Sequence, residues 1–282
     1  MVEKSMNTNI KSGETRGSYA SVNGISLYYQ VYGSGEPLIL LHGGVGSIEM
    51  FGEVIPLLAA GRRVIAVDLQ AHGRTEDIDC PMTFEAMADD IAALIQYLGL
   101  ERSDVMGYSL GGGVALQTAI RHAQLIRKLV LVSTAFKTDG WYPEVLAGMA
   151  QMGPEDSEPM KQTPMYQNYA SIAPRLQDWP VLLTKLGNLL RQEYDWTEPV
   201  ARVKIPTMIV IGDADSIRPL HAVELFGLLG GGRVDAGWDG SGMSNARLAV
   251  LPGITHYNIF NSPILASTVI PFLDAPLPRS GL

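Results

Sequence analysis

Ser109 is the residue of this chain whose surroundings are most typical of an activated nucleophile. It stands at the centre of Gly107-Tyr108-Ser109-Leu110-Gly111, between an apolar run and a helical pattern. A serine in this setting lies on a sharp turn that exposes its hydroxyl, and the flanking glycines leave room for the tight backbone. A glycine-rich turn that merely opens a helix has the same sequence. The strand–turn–helix setting favours the nucleophile.

Two histidines are candidates for the base that such a serine needs. A serine hydroxyl is a weak nucleophile until a base accepts its proton, and an acid must orient that base. Because ligands bind at the carboxyl ends of parallel strands, we expect the base directly after a strand. Of the five histidines, only His42 and His256 have this position. At either position the alternative is a hydrogen-bonded structural histidine.

The same rule gives two candidate acids and one candidate oxyanion donor. The apolar run Pro206–Gly212 is typical of a buried strand, and Asp213-Ala214-Asp215 follows it directly. Either aspartate could orient an imidazole, and these residues alone leave the choice open. The backbone N–H of Leu110, at the start of a helix, has no partner within that helix and can donate to a developing oxyanion.

The elements that must position these residues alternate along the chain. Asn23-Gly24 between two β-rich runs is a strong hairpin signal. Apolar, β-rich runs then alternate with helical patterns, and they span 37–41, 64–68, 105–106, 129–132, 208–211 and 248–251. Such runs predict a parallel sheet with helices on both faces. With the hairpin, we expect an α/β fold with a mostly parallel sheet of eight strands.

The alternation breaks between Lys137 and Val203, where proline, methionine and aromatic residues concentrate and β-rich runs are missing. We predict a helical insertion that covers one end of the sheet, with most of these side chains forming its own small core. The predicted domains are a flexible tail over 1–17, a core over 18–136 and 204–282, and the helical insertion over 137–203.

Composition limits the classes of function. The 282 residues are 46% apolar, which is enough for a large core. The single cysteine, Cys80, excludes an internal disulfide and favours a reducing compartment. A net charge of −8 argues against nucleic acid or an anionic membrane as a partner. Since we find neither a signal peptide nor an apolar run of spanning length, we expect a cytoplasmic protein.

From about Tyr19 to Leu273, the chain resembles the α/β-hydrolase fold family. Five motifs carry the resemblance, in the family's order: His42-Gly43-Gly44, Asp68-Leu69-Gln70-Ala71-His72-Gly73-Arg74-Thr75, Gly107-Tyr108-Ser109-Leu110-Gly111, Gly212-Asp213-Ala214-Asp215 and Pro252-Gly253-Ile254-Thr255-His256. The order serine, aspartate, histidine along the chain is the one that this fold uses. One departure is Ala71, which replaces the glycine usual in that turn.

The resemblance implies a role for each candidate. Ser109 is the expected nucleophile, His256 the base and Asp215 the acid, which its spacing from Pro219 favours over Asp213. The resemblance also implies an oxyanion hole and a cap. The backbone N–H of Gly44 joins that of Leu110 in the hole, His42 becomes a structural or pocket-wall residue, and the insertion becomes a substrate-selecting cap domain.

The implied reaction is hydrolysis of a small-molecule ester or lactone through an acyl-enzyme. Haloalkane dehalogenases and epoxide hydrolases of this fold use aspartate at the elbow, so Ser109 argues against both. Other reactions remain open: C–C bond hydrolysis of vinylogous diketones, amidase or aminopeptidase activity, and perhydrolysis. A non-catalytic small-molecule receptor also remains open. We expect no cofactor and no metal, and the sequence does not set the oligomeric state.

Overall fold

The computed structural model describes residues 16–277 and is built around one sheet of eight strands. The strands are β1 (Arg16–Val22), β2 (Ile25–Tyr32), β3 (Glu36–Leu41), β4 (Arg62–Val67), β5 (Ser103–Tyr108), β6 (Ile126–Val132), β7 (Thr207–Ala214) and β8 (Ala246–Thr255). Their order in the sheet is β1-β2-β4-β3-β5-β6-β7-β8. The six strands β3 to β8 are parallel to one another. Strand β2 is antiparallel to both of its neighbours, β1 and β4.

This topology confirms the predicted sheet and its antiparallel edge. The hairpin between β1 and β2 turns at Asn23 and Gly24, whose φ angles are 46° and 84°. A two-residue turn with positive φ at both positions matches the right-handed twist of the flanking strands, and Asn-Gly adopts it readily. The local sequence is therefore enough to specify the turn that joins the first two strands.

Ten α-helices accompany these strands in the described part of the chain. They are α1 (Val54–Ala59), α2 (Phe84–Tyr97), α3 (Leu110–Arg121), α4 (Pro143–Gln151), α5 (Ser157–Met160), α6 (Pro164–Ile172), α7 (Trp179–Leu190), α8 (Thr197–Ala201), α9 (Pro219–Leu228) and α10 (Pro263–Asp274). Among the residues described, no helix has both the length and the apolar character needed to cross a membrane.

Both faces of the sheet are covered. Alternate side chains of β3 separate into two apolar layers: Leu38 and Leu40 join α1 and α10, while Ile39 and Leu41 join α2 and α3. All four side chains are fully buried. Strands buried on both faces need apolar residues at every position, which is why they are continuous apolar runs in the sequence.

Between β6 and β7 the chain forms helices, α4 to α8, as the sequence predicts. The prediction that this segment has its own small core is wrong for its longest helix. Buried residues of α7, such as Trp179, Leu183 and Leu186, belong to the same apolar cluster as α2 and α3. The predicted tail over 1–17 lies outside the described residues, except that Arg16 and Gly17 begin β1.

Candidate active site

Ser109 lies on a strained turn between β5 and α3. Its φ and ψ are 52° and −114°, outside the regions that a side chain normally allows. The two flanking glycines make this turn possible. A Cβ at Gly107 would lie 2.0 Å from the carbonyl oxygen of Gly111, and one at Gly111 would lie 2.4 Å from that of His42. The turn is anchored by the N–H of Ser109, which donates to the carbonyl of Val132 at 2.9 Å.

The structure brings together the three side chains that the sequence nominated from separate loops. The Nε2 atom of His256 lies 3.1 Å from the Oγ of Ser109, and its Nδ1 lies 2.9 Å from the Oδ1 of Asp215. These residues follow β5, β7 and β8, so the carboxyl ends of parallel strands place them at one edge of the sheet. Both partners of the His256–Asp215 pair are buried.

Four hydrogen bonds fix the carboxylate of Asp215. Its Oδ1 accepts from His256 and from the N–H of Ile217 at 3.1 Å, and its Oδ2 accepts from the N–H of Gly212 at 3.1 Å. The Oγ of Ser133 donates to the same Oδ2 at 2.5 Å. Burial alone raises the pKa of Asp215, but the bonds from His256, Ser133 and Gly212 and the charge of His256 hold it below its ordinary value. The carboxylate is therefore ionised at neutral pH.

The other candidate acid, Asp213, makes no hydrogen bond to the imidazole of His256. It falls within β7 and is exposed, and its Oδ1 accepts from the backbone N–H groups of Gly253 at 2.8 Å and Ile254 at 3.3 Å. These bonds join β7 to β8 just ahead of His256. The geometry thus separates two aspartates that the local sequence left equivalent.

The two predicted oxyanion donors lie beside Ser109. Gly44 and Leu110 both line the cavity that Ser109 faces. Neither of their N–H groups donates to another of the residues described by the structure. By contrast, the neighbouring N–H of Val45 donates to the Nε2 of His72 at 3.1 Å. A developing oxyanion requires two such donors, without a described partner, beside the nucleophile. That these two N–H groups act in catalysis is our prediction.

The buried rings of His42 and His72 hydrogen-bond to the loops that follow β3 and β4. The Nε2 of His42 accepts from the N–H of Leu69 at 3.0 Å, and its Nδ1 lies 2.7 Å from the carbonyl oxygen of Gly43. Burial, with the neighbouring His72, lowers the pKa of His42 to about 3, and burial lowers the pKa of His72 to about 4. Both rings are neutral and fully bonded, which fits the structural role that the resemblance implied for His42.

Sequence reasoning missed Ser133, which directly follows β6. It is fully buried and has a φ of 49°, although it is not glycine. Its strand-end position was a usable signal, because β6 lies between β5 and β7 in the sheet. The hydroxyl of Tyr108 was missed as well, and it donates to the carbonyl of His256 at 2.7 Å.

A cavity of about 940 Å³ opens over Ser109. Much of its wall is apolar, and five methionines contribute to it: Met50, Met149, Met152, Met160 and Met165. Its acidic lining residues are Glu49 and Glu144, and no described lysine or arginine lines it. Trp141 and Tyr194 reach this wall from the helical segment, whereas Trp179 packs into the core.

Polar contacts tie the helical segment to the core beside the cavity. The Nζ of Lys185, on α7, forms an ion pair with Asp77 at 2.7 Å and donates to the carbonyl of Cys80 at 2.7 Å. On α6, the side-chain amide of Asn168 donates to the Oγ of Ser47 at 2.7 Å. These contacts hold the helices over the carboxyl ends of the strands.

Comparison with known proteins places these features in context. Residues 36–172 match a family model described as the alpha/beta hydrolase fold. A relative from Bacillus subtilis, "AB hydrolase superfamily protein YisY", is 29% identical over 215 residues, which cover 69% of this chain and 80% of that protein. A non-heme haloperoxidase from Rhodococcus erythropolis is 27% identical over 260 residues, covering 83% and 90%. An uncharacterized protein of Mycobacterium bovis is 32% identical over 189 residues, and this chain spans about half of it, 54%.

Solved structures share the architecture at low sequence identity. The enol-lactonase from Burkholderia xenovorans superposes with a TM-score of 0.70 and 22% identity, over 91% of this chain and 100% of that one. The carboxylesterase CesB from Bacillus subtilis gives 0.71 and 18%, over 93% and 92%. At these identities the likeness establishes the fold.

Proposed function

The chain belongs to the α/β-hydrolase fold family, and on that basis we propose that it is a serine hydrolase of small, apolar carboxylic esters or lactones. One observation carries the proposal. The Oγ of Ser109, the imidazole of His256 and the carboxylate of Asp215 form an unbroken hydrogen-bonded series, with separations of 3.1 and 2.9 Å. A base paired to the nucleophile and an acid paired to the base are the elements that activate a serine.

In the proposed reaction, Nε2 of His256 accepts the hydroxyl proton while Oγ of Ser109 bonds to the carbonyl carbon of the substrate. The resulting oxyanion accepts hydrogen bonds from the N–H groups of Gly44 and Leu110. As the intermediate collapses, His256 returns the proton to the leaving alkoxide and an acyl-serine remains. Water, deprotonated by the same imidazole, then releases the acid and restores the hydroxyl.

The neighbours of Asp215 support its part in this cycle. An imidazole that gains a proton next to an ionised carboxylate is stabilised by charge attraction, and the low pKa of Asp215 keeps the carboxylate ionised. The hydrogen bond to Nδ1 also directs Nε2 toward Ser109 and leaves that atom free to accept a proton.

The cavity supports the substrate class. Its apolar, methionine-rich wall suits acyl or alcohol groups without charge, and methionine adapts to irregular shapes. A carboxylate-bearing substrate would meet Glu144 and also Glu49, which pairs with Arg74 at 2.6 Å, and no described lysine or arginine lines the cavity. An ester or lactone of a neutral, apolar acid therefore suits this cavity better than a dicarboxylate.

A fluorophosphonate probe and p-nitrophenyl butyrate test the proposal together. We expect rapid labelling at Ser109 and steady hydrolysis, and Ser109→Ala should abolish labelling and reduce kcat by roughly 10⁴- to 10⁶-fold. Ser103→Ala serves as the matched control, because Ser103 is a fully buried serine in β5 outside the cavity lining. If Ser109→Ala retained a tenth of the activity, the nucleophile would be misassigned.

The same assay separates the other candidate functions. A non-catalytic receptor would label feebly and would not turn over esters. A C–C hydrolase would favour a vinylogous diketone over every ester, and a perhydrolase would need added peroxide for its main product. Any of these results would contradict ester or lactone hydrolysis as the principal activity.

A further inference from the structure

We infer that a second ligand site, for an organic phosphate or a similar multiply charged anion with an apolar group, lies at the opposite end of the sheet from Ser109. A cavity of about 850 Å³ occupies this position. Its volume lies within the range typical of small-molecule sites. The inference is independent of the proposed hydrolase activity, because the two cavities share no lining residue.

The elements around this cavity place it at the amino ends of the strands. Arg102 directly precedes β5, Ile126 begins β6, and the segment 202–206 leads into β7. The proposed catalytic residues follow the carboxyl ends of strands in the same sheet. Since a strand rises about 3.3 Å per residue, the six residues of β5 separate the two ends by about 20 Å.

The charge of this cavity is opposite to that of the whole chain. No described acidic residue lines it. Four described lining side chains are cationic: Arg102, Arg127, Arg202 and Lys204. The chain has a net charge of −8, so a lining that is cationic only is a local departure. Long-range repulsion from distant acids is screened over about 8 to 10 Å in physiological salt, which leaves the local cations to determine binding.

Three of these four cations have no partner among the described residues. Among the lysines and arginines whose side chains the structure describes, five make no side-chain hydrogen bond or ion pair to a described residue: Arg63, Arg102, Arg202, Lys204 and Arg233. Arg102, Arg202 and Lys204 all line this one cavity and are exposed. The fourth lining cation, Arg127, pairs with Asp104, so three lining cations lack a partner in the described part of the chain.

The remaining lining explains why a purely inorganic ion is not the best fit. Ile120, Pro199, Ile205 and Leu277 contribute half-buried or exposed apolar surface to the same lining. An anion that carries an apolar group would cover this surface while its charged end meets the guanidinium and ammonium groups. Arginine favours phosphate because its planar donors match two oxygens at once. An organic phosphate ester therefore combines both features of the lining.

Binding of phenyl phosphate to the full chain, measured by calorimetry at low salt, tests this site. We expect saturable binding that is at least threefold tighter than that of inorganic phosphate, and no binding of phenol. Arg202→Gln should weaken phenyl phosphate binding at least fivefold, and the Arg202→Gln/Lys204→Gln double variant should weaken it more than tenfold. Arg233→Gln removes another exposed charge that has no described partner and lies outside the cavity, and it should change binding less than twofold.

Hydrolysis of p-nitrophenyl butyrate is the independent readout. The double variant should keep its ester hydrolysis within twofold, because none of the substituted residues lines the cavity of Ser109. Absence of saturable binding, or equal weakening by Arg202→Gln and Arg233→Gln, would refute the site. Equal affinity for phenyl phosphate and inorganic phosphate would refute the apolar part of the ligand.

Discussion

The two ends of the sheet carry cavities of similar volume, about 940 and 850 Å³, but different construction. At the carboxyl ends, Val45, Ala71, Ser109 and Ser133 follow four successive parallel strands, and all have positive φ without being glycine. No non-glycine residue of positive φ lines the described part of the amino-end cavity, where exposed cations face solvent.

This contrast shows where the fold accepts strain. Each such backbone position costs about 1 to 3 kcal/mol, so their clustering marks the edge where atoms must be held precisely. Exposed cations need no such precision, because charge attraction varies gradually with distance. Substitutions at the carboxyl ends should therefore have large, specific effects, and substitutions of charged residues should have small, graded ones.

The two aspartates at the end of β7 give the most sensitive test of whether a side chain at this edge of the sheet must be placed precisely. Asp215→Asn should reduce kcat by roughly 10⁴-fold, because an amide can impose the wrong tautomer on His256 and does not stabilise its protonated form. Asp213→Asn, two residues away, keeps a side-chain oxygen that can still accept from the backbone N–H groups of β8, so it should reduce kcat less than tenfold. Steady-state kinetics of both variants would decide, and the reverse order would move the acid to Asp213.

Ser133 tests whether a strained residue outside the cavity lining positions the site. Ser133→Ala removes the hydrogen bond to Asp215, and bonds to charged groups are typically worth about 1.5 to 3 kcal/mol. We expect kcat to fall roughly 10- to 100-fold with KM nearly unchanged. The lost bond stabilised the carboxylate, so the pKa of Asp215 should rise, and the loss of activity that follows protonation of this carboxylate should begin at higher pH.

Ser103→Ala is the control for that experiment. Ser103 is also fully buried, and its Oγ has no hydrogen-bond partner among the described residues. The two variants therefore remove the same atom from similarly buried sites. Equal kinetics in both, or a changed KM with an unchanged pH profile for Ser133→Ala, would assign Ser133 a purely structural role.

Substrate charge should produce the smallest effect. An added carboxylate beside the acidic lining costs on the order of 1 to 2 kcal/mol, so p-nitrophenyl butyrate should exceed the hemisuccinate ester roughly 5- to 30-fold in kcat/KM at low salt. Glu144→Gln should narrow this ratio, whereas Glu193→Gln, which lies on the same segment outside the cavity lining, should leave it unchanged. A preference for the hemisuccinate would contradict an apolar, anionic cavity.

The sequence predicted the sheet and the turn at Ser109 well, because both follow local rules. The hairpin at Asn23-Gly24 depends on two residues, and the elbow at Ser109 on five. The choice between Asp213 and Asp215 came from the family resemblance, since strand-end position alone applies to both. What no local rule contains is how neighbouring loops meet in space.

Ser133 and His72 illustrate why contacts between loops could not be predicted from local sequence. A serine with positive φ has no sequence signature of its own, because the surrounding contacts impose the conformation. His72 looked like a turn residue, yet its ring accepts the N–H of Val45 from a loop 27 positions earlier. In the helical segment, composition could not separate cavity-lining Trp141 from core Trp179.

The five methionines of the Ser109 cavity have a redox consequence. A thioether oxidises to a sulfoxide, which replaces an adaptable apolar surface with a polar, chiral one. All five line the cavity and none is fully buried. An oxidant released inside the cavity would therefore meet a thioether before it reached bulk solvent. An enzyme that made a peracid here would therefore damage the wall that selects its own substrate, whereas an enzyme that releases an acid and an alcohol would leave it intact.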